Sequence, residues 1–284
     1  MSRIVYVNGD FVPEEAAKVS IFDRGFLFAD GVYEVTPILH GKLIENAGHM
    51  ARLERSMREL QMPPPCPVEE IAALMKELVA RNDVYEGMVY VQVTRGAADR
   101  DFAFPEDATP TLVMFTQERK IEDTDSSRLG IRVISTPDWR WARRDIKTVQ
   151  LLAPSLMKMR AKAAGAHDAW MVQDGFVTEG TSNNAYIVTK DGTIVTRHLS
   201  TEILHGITRA SVLRLAAEAQ MKVEERPFTI AEAQEAAEAF MTAASAFVTP
   251  VVEIDGVTLG DGKPGPVARR LREIYIATAL EHAD

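Results

Sequence analysis

A lysine in RWARRDIKTVQLLAP (140–154) follows three arginines and a carboxylate and leads straight into an apolar run. Burying an ammonium costs several kcal/mol unless it finds a partner or loses its proton. Two readings of Lys147 therefore stand: a snorkelling side chain with its amine in water, or a neutral, nucleophilic amine held for covalent work. LHGITRASVLRLAAEAQ (204–220) sets Gly206 before Ile207 and Thr208 at the start of a helical pattern. Free backbone N–H groups and a hydroxyl at such a start suit a phosphate, and an ordinary cap by Thr208 fits the same letters. In VTEGTSNNAYIV (177–188), Glu179 leaves a strand and meets a small polar turn holding Ser182 and Asn183. That carboxylate can accept from a ligand cation, or it can sit solvated in a loop. TAASAFVTP (242–250) is a second small-residue turn where backbone can approach a ligand closely.

Other chemistries lack their signatures. The six histidines (40, 49, 167, 198, 205, 282) show no ligand spacing such as HExxH, so no metal is expected. GxGxxG, GxxxxGK[ST] and GxSxG are absent. A single cysteine, Cys66, excludes an internal disulfide and a thiolate metal cluster. The 284 residues carry a formal net charge of −9, which argues against a nucleic-acid partner. No apolar run reaches the roughly 20 residues of a membrane span, and MSRIVYVNGDF lacks the features of a secretory signal. The expectation is a soluble, cytoplasmic protein.

The elements that must position these residues read as α+β, because strands and helices mix without regular βαβ alternation. IVYVNGDFV is a hairpin about Asn8-Gly9, and a strand is expected from Val32 to Leu39. Residues 49–60 and a stretch from Val68 have helical periodicity, and 88–94 and 111–116 read as strands. The polar run 117–130 reads as a linker. It gives a smaller domain over 1–118, an interdomain linker over 119–129 and a larger C-terminal, cofactor-binding domain over 130–284. There, a strand at IRVIS, a helix ending near Gly165, two Asp-Gly hairpins and helices at 207–221, 230–241 and 267–280 are expected.

DGVYEV (30–35), the arginine of HMARLERS (49–56), DIK (145–147), VTEGTSN (177–183), HGITR (205–209) and TPVVEIDG (249–256) occur in this order along the whole chain. Together they resemble the two-domain fold type IV pyridoxal-phosphate aminotransferases, most closely the D-amino-acid transaminase branch. The resemblance implies that Lys147 forms a Schiff base with pyridoxal 5'-phosphate and then shuttles a proton. Arg143 and Arg144 beside it would keep its amine neutral. It implies Glu179 at the pyridine nitrogen and Arg52, Ile207 and Thr208 at the phosphate. Gly206 belongs to that motif, Leu204 packs on the ring, and Ser182 and Asn183 touch the cofactor. Tyr33 and Glu34 would line the substrate side.

Two departures from the family pattern matter. The second phosphate-side turn reads Ala243-Ala244-Ser245, leaving backbone N–H groups where Ser or Thr side chains are common. In TRGAADRDFAFP (94–105), Arg100 matches the α-carboxylate clamp, but Phe102 replaces its histidine. The implied function is amino transfer from D-amino acids to a 2-oxo acid such as pyruvate or 2-oxoglutarate, in a homodimer. Alternatives within the family are an (R)-selective amine transaminase, a branched-chain L-aminotransferase and aminodeoxychorismate lyase. Outside catalysis, a silent cofactor-binding protein is the competing reading, and retention of Lys147 and Glu179 argues against it.

Overall fold

The computed structural model describes residues 2–283 and divides into two compact units. The first contains residues up to Lys120, together with Ile146–Gln150 and the C-terminal His282; the second contains Ile121–Asp145 and Leu151–Glu281. The five residues around Lys147, assigned from sequence to the C-terminal domain, thus cluster with the first unit. The stretch read as a linker is partly ordered structure: a strand continues to Glu118, and a short helix follows at Asp125–Leu129 with a Thr124–Ser127 capping box.

The first unit runs β1 (Ile4–Val7), β2 (Asp10–Pro13), α1 (Arg24–Phe28), β3 (Gly31–Leu39), β4 (Lys42–Leu43), α2 (Asn46–Glu59), α3 (Val68–Asn82), β5 (Glu86–Thr94) and β6 (Thr111–Glu118). Its six strands form one sheet in the order β2-β1-β6-β5-β3-β4. Asn8 and Gly9 both take positive φ, which joins β1 to β2 by the tight turn their side chains allow. α2 and α3 bury Leu53, Met57, Ile71, Met75 and Leu78 at helical spacing. Ile38, Val89, Val91 and Met114 of the strands are buried as well, with α2 against β3 and α3 against β1 and β6. β3 alternates along its first half, so Tyr33 and Val35 stay partly open while Val32, Glu34 and Thr36 are buried.

The second unit contains α4 (Asp125–Leu129), β7 (Ile131–Pro137), α5 (Leu152–Ala163), β8 (Asp168–Gln173), β9 (Phe176–Gly180), β10 (Asn184–Val188) and β11 (Ile194–Thr196). It continues with α6 (Ile207–Glu218), β12 (Val223–Glu225), α7 (Ile230–Glu235), β13 (Glu238–Ala243), β14 (Phe247–Ile254), β15 (Val257–Thr258) and α8 (Pro266–Glu281). Its nine-stranded sheet follows the order β12-β11-β10-β13-β14-β7-β8-β9, with β15 on β14. Trp170, Val177, Ile187, Val195, Phe228 and Ile254 meet in its core. Asp174-Gly175 turns β8 into β9 with both residues at positive φ, as expected.

One helix expected from sequence is corrected. Residues 230–241 do not form one helix: α7 ends at Glu235, Ala236 is extended, and Glu238–Ala243 is a strand. Alanine-rich EAAEAF favours helix locally, but its backbone completes ladders to β10 on one side and β14 on the other. Leaving those ladder groups unpaired in a buried sheet costs more than the small propensity difference.

Candidate active site

Lys147 is fixed by the backbone of the first unit. Its carbonyl accepts from the Tyr33 N–H at 3.0 Å, and the Val149 N–H donates to Gly31 O at 3.1 Å. Thr148 pairs with Val32 as an isolated antiparallel bridge, so 147–149 lies along the open edge of β3. The lysine Nζ sits 4.3 Å from the centroid of the Tyr33 ring. Tyr33 stacks on Tyr90 (5.5 Å), and Tyr90 stacks on Phe115 (4.8 Å), which carries an aromatic row across the sheet from beneath the lysine. Arg143 and Arg144, expected to act on this amine, find partners in the second unit. Arg143 donates to Asp145 at 3.0 and 3.1 Å, and Arg144 donates to Gln173 at 2.6 Å.

Arg52 lies on α2, one turn from His49, and both turn to Glu34. Arg52 Nε and Nη2 donate to the two oxygens of Glu34 at 2.7 and 2.8 Å, and His49 Nδ1 is 2.7 Å from Oε2. Burial opposes ionisation of Glu34, but the Arg52 charge and its hydrogen bonds, with His49, prevail and hold the carboxyl at about 2. The same burial pushes the His49 imidazole down, against the pull of Glu34. Glu34 was expected to line the substrate side with Tyr33. That is corrected: neighbours on a strand point to opposite faces, and Glu34 is fully buried against α2.

Arg100 and Phe102 lie in the loop after β5. The Arg100 guanidinium is 5.4 Å from the Phe28 ring centroid and 5.5 Å from that of Phe102. Phe102 is 79% exposed, so it is not core packing. Arg24 donates to the carbonyls of Asp101 (2.6 Å) and Ala103 (3.3 Å) and pairs with Asp30 at 2.8 Å, which gives this exposed loop a defined path.

In the second unit, Glu179 is the penultimate residue of β9 and is buried. Asn184 Nδ2 donates to its Oε2 at 2.9 Å, and the Leu204 N–H lies 3.1 Å from both oxygens. Arg140 donates to Oε1. Burial pushes the Glu179 carboxyl upward, and Arg140 and the Leu204 N–H pull against it. Asn184 also donates to the Leu204 carbonyl at 3.0 Å, so one amide ties the carboxylate to the segment entering α6.

α6 begins with Gly206 as its N-cap, and no side chain caps it. Thr208 is therefore not the cap. It lies in the first turn, buried, with a hydroxyl that has no hydrogen-bond partner. A Cβ on Gly206 would stand 2.2 Å from Asn184 Oδ1, so only glycine lets the chain pass this close. Asn184 in turn pairs in register with Thr242, one residue before Ala243. Ala243 and Ala244 form the partly open bend from β13 into β14. Uncapped N–H groups and an orphaned buried hydroxyl at a helix start fit the phosphate of a cofactor.

The turn after Glu179 divides by role. Ser182 is exposed, whereas Asn183 is buried and donates to Asp168 at 2.6 Å. Thr181 Oγ1 donates to the same carboxylate at 2.5 Å. Asn183 thus braces the turn. Its Oδ1 has no hydrogen-bond partner, and a Cβ on Gly180 would lie 2.2 Å from that atom. Sequence reading passed over Arg140, Asn184 and Asp168. Asn184 was within reach as the polar residue that opens β10 directly after that turn; nothing local marked the other two.

Residues 31–254 match the Amino-transferase class IV family. The chain is 38% identical over 272 residues to a D-alanine aminotransferase of Staphylococcus haemolyticus, covering 95% of each sequence. It is 38% identical over 279 residues to the D-alanine aminotransferase of Bacillus licheniformis, covering 98% of this chain and 96% of that one. Among solved structures it resembles the branched-chain aminotransferase of Escherichia coli, with a TM-score of 0.92 at 20% identity, over 100% and 97% of the two chains. It also resembles a T.th. branched-chain aminotransferase complexed with N-(5'-phosphopyridoxyl)-L-glutamate, with a TM-score of 0.89 at 30% identity, over 99% and 95%.

Proposed function

The chain belongs to the class IV amino-transferases, and from that premise we propose that Lys147 is its catalytic amine in amino transfer between a D-amino acid and a 2-oxo acid. The protein is a pyridoxal-phosphate-dependent aminotransferase with the type IV fold. The observation that carries the role of Lys147 is its setting: main chain locked to β3 on both sides, amine over Tyr33. A fixed backbone and a free side-chain terminus suit a group that must hold the cofactor and move a proton at the donor's α-carbon.

Bound pyridoxal phosphate supplies the electron-withdrawing ring and the carbonyl that accepts the amino group. Glu179 would be the buried carboxylate for its ring nitrogen, and Leu204 would pack against the ring. The first turn of α6, with Gly206, Ile207 and Thr208, and the Ala243–Ala244 bend would hold its phosphate. Arg52 adds a cation whose orientation Glu34 sets. Tyr33 lines the substrate side. D-alanine is the donor expected from the Staphylococcus and Bacillus relatives, with pyruvate or 2-oxoglutarate as acceptor.

A homodimer is part of this reading. Ile21, Phe22, Phe26, Phe102 and Phe104 of the first unit are all more than half exposed, an apolar set that a second copy would cover. A second substrate reading rests on Phe102, which cannot donate to a carboxylate, beside Arg100 lying against aromatic rings. That arrangement suits a carboxylate-free (R)-amine. The test is the visible spectrum of the holoprotein before and after D-alanine, L-leucine and (R)-1-phenylethylamine, each added separately. Rapid loss of the cofactor's visible band with D-alanine alone is expected. Loss with the amine and little with D-alanine would replace the main reading by the second.

A further inference from the structure

Among the described residues, Arg140 is the cation that hydrogen-bonds to Glu179, and its own position is set by a second carboxylate. Its Nη1 donates to Glu179 Oε1, while Nε and Nη2 donate to Asp138 Oδ1 and Oδ2 at 3.0 and 2.7 Å. Asp138 also accepts from Thr178 Oγ1 at 2.7 Å, and Arg144 Nε lies 3.6 Å away. The Arg140, Asp138 and Glu179 side chains are 11%, 0% and 4% exposed. One guanidinium thus bridges two buried carboxylates, a fork on one and a single bond on the other.

We infer that Arg140 is a positioning residue that keeps Glu179 ionised and aimed, and thereby sets how strongly Glu179 holds the proton of the cofactor's ring nitrogen. The inference rests on the proposed role of Glu179. Two neutral donors, Asn184 Nδ2 and the Leu204 N–H, fix the carboxylate in place, but neither supplies charge. The charged groups facing it within its unit are Arg140 in contact, with Asp138 and Arg144 behind. Without Arg140, burial and the Asp138 charge act in one direction, and Glu179 takes up a proton. A protonated carboxyl can no longer hold the ring nitrogen's proton by charge. A lysine at 140 restores charge without the fork; a glutamine restores a donor without charge.

The test is a double-mutant cycle on the holoenzyme with Arg140→Gln, Arg140→Lys, Glu179→Gln and the Arg140→Gln/Glu179→Gln pair. It reads kcat, KM, the dissociation constant for pyridoxal phosphate and the pH dependence of the cofactor's visible absorbance. Arg140→Gln is expected to lower kcat about tenfold or more with KM for the donor changed less than about twofold. It should also move the pH at which the ring nitrogen loses its proton, read from the absorbance, downward by about one unit, a factor of roughly ten in proton affinity. Arg140→Lys recovers most of kcat, and the pair is no worse than Glu179→Gln alone, because Arg140 acts through Glu179. Additive losses in the pair, or an Arg140→Gln protein with unchanged kcat and pH profile, would overturn the inference and leave the role of Glu179 intact. Should Arg140→Gln fail to fold, an Arg140→Lys protein with the unsubstituted enzyme's pH profile but no recovery of kcat overturns it as well. A Glu179→Gln protein with normal kcat and cofactor affinity would sink the role of Glu179 and the inference with it.

Discussion

At Lys147 one side chain separates two functions that a single residue seldom combines. The main chain is a structural member of β3's edge, and only the side-chain end is left for chemistry. Lys147→Ala should therefore leave the far-ultraviolet circular dichroism and folding unchanged while removing the cofactor's visible band and all turnover. A variant with measurable transamination and a normal band would refute the assignment. Glu34 makes a different residue-scale prediction. Its carboxyl is held at about 2 against an ordinary 4.5. A depressed folded value contributes stability above the unfolded pKa and loses it as pH falls from 4.5 towards 2. The contribution at neutral pH is about 3 kcal/mol, and Glu34→Gln removes it while leaving Arg52 buried without its partner. Urea unfolding should show a large deficit for the variant at pH 7 that shrinks steadily below about pH 4. A deficit of constant size across that range would be the contrary result.

Among the elements, the start of α6 concentrates the demands of the site. Gly206 is at φ −64, an ordinary backbone angle, so its requirement is spatial and not conformational. Gly206→Ala drives a methyl into Asn184 Oδ1, and Asn184 holds both Glu179 and the Leu204 carbonyl. The expected outcome is a loss of pyridoxal-phosphate affinity of about tenfold or more, measured by absorbance titration, with thermal stability reduced by only a few degrees. Unchanged affinity would mean that this close approach does not serve the cofactor. This element was partly readable from sequence: the Gly-Ile-Thr order marked a helix start that suited either a phosphate or an ordinary cap by Thr208, and the structure removed Thr208 from the cap and left its hydroxyl unpartnered. The hairpins at Asn8-Gly9 and Asp174-Gly175 were readable because turn chemistry is local. The strand Glu238–Ala243 was not, since its partners β10 and β14 lie elsewhere in the sequence while alanine speaks for helix. Arg140 was unreadable for the same reason: Glu179 lies 39 residues away.

On the scale of the whole molecule, the resemblance that covered the chain end to end carried the family and cofactor, which local residue chemistry left open. The polar run at 117–130 could not announce that the chain returns to the first unit at Ile146–Gln150. Among the described residues no helix is long and apolar enough to cross a membrane. Because the cofactor binds the folded protein, saturation at about 100 times its dissociation constant should add about 2.7 kcal/mol of stability. That corresponds to a rise in melting temperature of roughly 5–10 °C in differential scanning fluorimetry. A melting temperature indifferent to pyridoxal phosphate would argue that nothing in the native state is organised around it. The return of the chain at 146–150 also bears on how the protein is made. On the ribosome, β3 emerges early, yet the edge at Gly31–Tyr33 has no strand beside it until Lys147–Val149 has been synthesised and cleared the exit tunnel. The first unit must wait, half-edged, while the start of the second is already being threaded out. Nascent chains arrested while Lys147–Val149 is still inside the tunnel should be more exposed to proteases and to wrongful strand pairing than those arrested once it has emerged.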